Sequence, residues 1–319
     1  MFLIVIPIFM VILVGYIYGR MKPDSSGADK LINDYVLYIA LPALLFIAVA
    51  RADISDLKQW GFILSTLAGI IITYLVAGFI AKAMGVGLPQ SSILSMGASY
   101  GTTGYMGVPI LISAYGQQAA LPAALATILH NIPVIMAVII SWDIFSKRAD
   151  AQRVPLLHSF GSAALTTIKN PLTIAVLAGL AFSIFRIQVP VFLDSFARFL
   201  GNASGPTALF ALGLGLSRLN FREHLTLSVG KIVLPMIVLK LVIQPAITFV
   251  TAVYIFQMGK EQAIWLAAAI VMAAQPIGAG VYVFAKKYNY QQDVISLSII
   301  VSLLLALITI PLLLALLPR

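Results

Sequence analysis

Lys240 stands ten residues into an apolar run, just ahead of Gln244 and Pro245. An ammonium inside hydrocarbon is costly, so it needs a cavity, a partner or an anion. Two roles follow: it attracts an anion, or it stands as a fixed charge where a mobile coupling ion would otherwise bind. Snorkelling to an interface is the plain alternative, and it suits Lys231, near the end of the same run, better. His130 and Asn131, followed by Pro133 in another apolar run, could bind a solute or carry a proton. Satisfying a neighbour's backbone would explain them equally well.

Carboxylates are informative by where they are missing. All eleven acidic residues, Asp34, Asp143, Asp194 and Asp293 among them, fall in linkers or near the ends of apolar runs. That leaves no buried carboxylate pair for proton or sodium exchange, or for aspartyl hydrolysis. HExxH, GxSxG and phosphate-loop patterns are absent too, so no enzyme, cofactor or metal site is expected. The lack of cysteine excludes disulfides and thiol chemistry. A net charge of +9 comes without a basic, aromatic-studded stripe on a polar domain, so nucleic acid is not an expected partner.

A second group of residues reads as backbone chemistry. Between positions 101 and 109 one apolar run holds Gly101, Thr102, Thr103, Gly104, Tyr105, Gly107 and Pro109, after Gly97. A later run holds Gln275, Pro276, Gly278, Gly280 and Tyr282. Proline removes a donor and crowds the preceding turn, while glycine tolerates unwound backbone. Both runs are therefore expected to be broken helices near the bilayer midplane. Freed N–H and C=O groups cannot face lipid, so the breaks should cross and line a protein-walled cavity, with half-helix N-termini offered to an anion. Packing of neighbouring helices against the glycines is the simpler alternative.

These residues need elements to hold them. With 61% apolar and 10% charged residues, a mean hydropathy of +1.02 and 319 residues, the chain reads as an all-α integral membrane protein. Apolar runs at 2–19, 31–50, 60–81, 92–114, 121–145, 171–186, 193–217, 230–257, 263–285 and 293–317 give ten expected spans. The first lacks a basic leader and a small-residue cleavage site, so it is expected to stay as a span. Alternate linkers collect Arg20, Lys22, Lys30, Lys82, Lys147, Arg148, Arg153, Lys169, Arg218, Arg222, Lys286 and Lys287 on one side. Arg51, Lys58, Arg186, Lys260 and Arg319 fall on the other. The richer side is expected in the cytoplasm, which puts both termini outside an inner (plasma) membrane.

The polar linker 146–170 divides the chain into 1–145 and 171–319, five expected spans each, so the halves run in opposite senses. Pro42-Ala-Leu-Leu-Phe46 in span two matches Pro206-Thr-Ala-Leu-Phe210 in span seven, and Met106-Gly-Val108 in span four matches Ala279-Gly-Val281 in span nine. Inverted repeats with paired broken helices are an architecture of secondary transporters. An anion channel, a sodium- or proton-coupled symporter and a membrane sensor or scaffold are the other classes open to such a chain.

Further motifs carry a resemblance. Lys169-Asn170-Pro171, Leu209-Phe-Ala-Leu-Gly-Leu214, Met106-Gly-Val-Pro109 with Tyr115-Gly116, and Pro276-x-Gly278 followed by Val283-Phe-Ala-Lys-x-Tyr-Asn289 resemble the auxin efflux carrier (PIN-like) family over nearly the whole chain. The resemblance implies a fold akin to sodium/proton antiporters and bile-acid symporters. In it spans 1, 2, 6 and 7 form a scaffold, which can dimerise, and spans 3–5 and 8–10 form a moving core. It implies export of a small organic anion, a carboxylate or an auxin-like molecule, by an elevator-type alternating access. Thr102, Thr103, Gly104, Tyr105, Asn131, Lys240, Gln275, Gly278, Gly280 and Tyr282 are the expected substrate-binding positions, and Gly101, Gly107, Pro109 and Pro276 the expected break positions. Thr102 replaces an asparagine of the plant pattern, and Val281 replaces its second crossover proline, leaving Gly278 and Gly280 to make that break.

Overall fold

The computed structural model describes residues 2–22, 27–53, 58–145, 156–217 and 227–317. Helix stands at each of the ten apolar runs. In chain order the helices are α1 (Phe2–Met21), α2 (Lys30–Ala50), α3 (Trp60–Ala83), α4 (Gln90–Ser99), α5 (Val108–Tyr115), α6 (Ala120–Phe145), α7 (Leu156–Ile168), α8 (Pro171–Ile184), α9 (Val191–Ser217), α10 (Gly230–Ile255), α11 (Ala263–Ala273), α12 (Gly280–Lys287) and α13 (Gln292–Leu316). Six of them, α2, α3, α6, α9, α10 and α13, are each long and apolar enough to cross a bilayer. The end of α7 joined to α8 makes a seventh candidate, bent by 75°. The chain is an all-helical membrane protein. The fourth and ninth runs are each split in two, α4 with α5 and α11 with α12.

Six of the basic residues in the charge asymmetry, Lys147, Arg148, Arg153, Arg218, Arg222 and Arg319, lie outside the described residues, as does the first part of the polar linker. The rest of that linker is helical rather than extended. Ser159, Ala163 and Thr167 are buried at a spacing of four, which gives α7 a narrow small-residue face against α6. Ser162 Oγ also donates to Asp143 Oδ2 at 3.1 Å. The bend to α8 has a local cause. Asn170 is extended and its side chain accepts from Leu172 N–H at 2.9 Å, while Pro171 needs no acceptor at the first helical position.

Three prolines explain a recurring irregularity. Wide π-helical turns at Val36–Ala40, Thr103–Gly107 and Leu239–Ile243 each stop two residues before a proline: Pro42, Pro109 and Pro245. A prolyl nitrogen cannot donate and its ring crowds the carbonyl one turn back, and a widened turn relieves both. The third of these turns carries Lys240.

Helix packing divides into two styles. α1 lies along α9, and α8 along α2, where small residues let backbones touch. A Cβ added to Gly213 would come within 2.8 Å of Tyr16 N, and one on Gly179 within 2.8 Å of Phe46 O. The helices α3, α4, α6, α10, α12 and α13 instead share a core of large side chains, among them Ile70, Ile93, Met96, Val138, Met236 and Ile295.

Candidate functional site

The two interruptions meet. α4 ends at Ser99 because Tyr100 turns extended, at φ −93° and ψ 117°. Gly101 then pairs antiparallel with Ile277. Thr102 N–H donates to Pro276 C=O at 2.9 Å, Gly278 N–H donates to Tyr100 C=O at 3.0 Å, and Ile277 N–H finds Ser302 Oγ at 3.1 Å. Backbone freed by the breaks is thus partly satisfied by the opposite break, as a non-aqueous site demands. Helix resumes at Thr103 on one side and Gly280 on the other. The N–H groups of Thr103, Gly104 and Tyr105, in the first turn, have no intrahelical acceptor. Among the described residues none of the three has a backbone partner.

The opposite ends of the breaks are held by two side chains of α10. Lys240 is fully enclosed, and its Nζ donates to Gln244 Oε1 at 2.8 Å and to the carbonyl of Ala273, the last residue of α11. Gln244 Nε2 donates in turn to the carbonyl of Ser99, the last residue of α4, at 3.2 Å. One ammonium and one amide therefore reach both half-helix C-termini. The covering wall is the break itself: a Cβ on Gly101 would lie 3.2 Å from Nζ.

The expected site residues separate into groups around this geometry. Thr103 and Gln275 are buried beside it, and Thr103 Oγ1 and Gln275 Oε1 have no partner among the described residues, although Gln275 Nε2 donates to Val271 C=O at 2.9 Å. Buried polar atoms left open in this way are uncommon and mark places for a ligand or water. His130, within electrostatic reach of Lys240, anchors Nδ1 on Ala126 C=O at 2.9 Å and leaves Nε2 open. Asn131, the next residue on α6, is 8% exposed. Thr102 is partly exposed at the turn, and Tyr105 extends away, its hydroxyl 3.5 Å from Asn33 C=O. Gly104 abuts Leu41, Leu172 and Thr127 at ordinary contact distance, so its lack of a side chain is not forced by space. Tyr282 is 37% exposed and does not join the crossing.

Gly278 and Gly280 have a more specific cause than unwinding. A Cβ on Gly278 would sit 2.7 Å from Tyr100 Cδ1 and one on Gly280 would sit 2.8 Å from Tyr100 Cε1. The aromatic ring of the first break rests on the glycines of the second. Gly107 likewise makes room for Met272 and Gln275. Tyr100, Gln244 and Ser302 were not among the expected site residues. Gln244 could have been found from its i, i+4 relation to Lys240, which places both on one helix face.

Beyond the crossing, Pro109 borders a cavity of about 300 Å³ between α5 and the helices α1, α2 and α9. Its polar lining is Ser113, Gln117, Asn202 and Ser204. A second cavity of about 550 Å³, between α1 and α13, is walled by aliphatic side chains and aromatic rings and offers little to a polar solute.

Crossed breaks with half-helix ends gathered around buried polar groups are an arrangement found at the solute sites of membrane transporters. The chain belongs to the Membrane transport protein family, whose profile matches residues 1–314. It is a multi-span membrane transporter rather than an enzyme, and a PIN-like member as its motifs suggested. A putative malonate transporter of Rhizobium meliloti is 28% identical over 96% of this chain and 92% of its own. Auxin efflux carrier component 8 of Arabidopsis thaliana is 23% identical over 95% and 94%. The lysosomal cholesterol signaling protein of Mus musculus is 26% identical over 92% of this chain, which spans 35% of that longer protein.

Proposed function

We propose that the chain is a carrier that moves a small carboxylate of the malonate class outward across the inner membrane by alternating access. The reading takes 1–145 and 171–319 as inverted repeats of five spans each, with both termini outside. α1, α2, α8 and α9 act as the scaffold, through which two copies pair, and the other helices move as an elevator-type core. Its main support is the antiparallel contact of Gly101 with Ile277, which gathers two half-helix ends at one point.

In this reading the anion accepts from the N–H groups of Thr103, Gly104 and Tyr105, reinforced by the positive end of the helix they begin. Thr102, Thr103, Asn131 and Gln275 set its orientation, Gly278 and Gly280 with Tyr100 shape the wall, and Tyr282 lies at the mouth. Gly101 and Pro276 lie in the breaks, whereas Gly107 and Pro109, expected there too, stand inside the helix that resumes at Thr103. Lys240 acts from behind, through the half-helices.

The test is a thermal-shift titration of purified protein with malonate, succinate and indole-3-acetate, followed by counterflow of labelled malonate in proteoliposomes. A carrier gives ligand-dependent stabilisation and saturable counterflow. Unitary currents without counterflow would replace it by an anion channel.

A further inference from the structure

Among the described residues Lys240 is the one buried Lys, Arg, Asp or Glu, and it forms no ion pair. An unpaired charge in such a place calls for a compensating charge of another kind. The backbone supplies it. A helix C-terminus carries roughly half a unit of negative charge on its last carbonyls. α4 and α11 both end at the crossing, so together they offer about one unit. The ammonium touches the last carbonyl of α11 directly and the last carbonyl of α4 through Gln244. Gln275 borders the same Gly101 wall as the ammonium, and His130 is the buried titratable residue of α6.

We propose that Lys240 is a tethered cation that binds the two half-helix C-termini together, in a chamber that would hold a small free monovalent cation if the side chain were absent. Its partners are oxygens: the Ala273 carbonyl and Gln244 Oε1, with the Ser99 carbonyl of α4 held one step away by the Gln244 amide. Such a set accepts methylammonium or an alkali ion as readily as a lysine head group. Lys240 is thus a positioning residue, screened by the Gly101 backbone from any solute in front of the crossing. A protein with this charge built in assembles its crossing without an external alkali ion. The proposal concerns the crossing and does not depend on which solute is carried.

Thermal unfolding of the full chain in detergent tests it. Lys240→Ala is expected to unfold at lower temperature and to recover several degrees, saturably, with methylammonium but not with choline at equal ionic strength. Wild type is expected to respond to neither. Lys240→Gln keeps a donor, one bond shorter, without the charge, so it is expected to remain destabilised. Full stability of Lys240→Gln would reduce the lysine to a hydrogen-bond donor and overturn the idea, even if the alanine variant failed to fold. Equal response of Lys240→Ala to methylammonium and choline, or no response, would overturn it as well. If malonate left wild type unshifted while methylammonium rescued Lys240→Ala, the carrier reading would fall and the tethered cation would stand.

Discussion

Glycines do opposite work in two regions of this molecule. Along α1 and α9 they let backbone meet backbone: Gly213 faces Tyr16 N and Ile12 C at 2.8 and 2.9 Å from where a Cβ would stand. At the crossing they face mainly side chains, Gly280 beneath Tyr100 and Gly101 against Lys240 and Gln275, while Gly278 lies beneath Tyr100 and also faces the Gly101 carbonyl at 2.9 Å. A backbone cannot step aside, whereas a ring or a lysine stem can rotate. The first region is therefore locked by its glycines, and the second is only shaped by them.

The largest effect should come from attacking the lock. Gly213→Leu drives a branched side chain into the α1 backbone, and a loss of about 3 kcal/mol or more is expected, read as collapse of the monodisperse peak on size exclusion. No single truncation on α1 should rescue it. Gly280→Ala sharpens the contrast, because its clash is with a movable ring: about 1 kcal/mol is expected, with most of it returned by adding Tyr100→Leu. Additive melting shifts in that pair would mean the ring does not rest on the glycine.

A smaller expected change separates binding from folding. Gln275→Leu removes an amide whose Oε1 is unpartnered, so melting should move little, while malonate affinity measured by calorimetry falls roughly tenfold, about 1.4 kcal/mol. Unchanged affinity would place the solute elsewhere. The smallest is at the rim of the locked region, where Asp194 meets Arg51 at 2.8 Å and Arg198 at 3.0 Å. Both arginines are about half exposed, so Asp194→Asn is expected to shift stability by no more than about 0.5 kcal/mol in a denaturation series.

How much of this was legible in the sequence follows from range of interaction. Apolar run length and the Gly/Pro clusters are local signals, and helix stands at every run, with interruptions at Tyr100–Thr102 and Ala274–Ala279 that each overlap only part of a cluster. Asn170-Pro171 announces a helix start in the same local way. The carbonyl partners of the Lys240–Gln244 pair were hidden because Ala273, bonded to the lysine, and Ser99, bonded to the amide, contribute groups that every residue has. Tyr100 was hidden because an aromatic beside apolar residues carries no mark of what it touches. Tyr282, chosen for proximity in sequence, is partly exposed because one helical step, about 100°, turns it away from the face that buries Val281.

The contact of Gly101 with Ile277 also has a history in time. A ribosome adding about 5–20 residues per second makes the second partner roughly ten seconds or more after the first. Through that interval the first break has no opposite strand, and its open backbone must wait among lipid, insertase or water. Assembly of the crossing is therefore a late event of biogenesis, and fragments 1–155 and 156–319 expressed as separate chains should complete each other in the membrane.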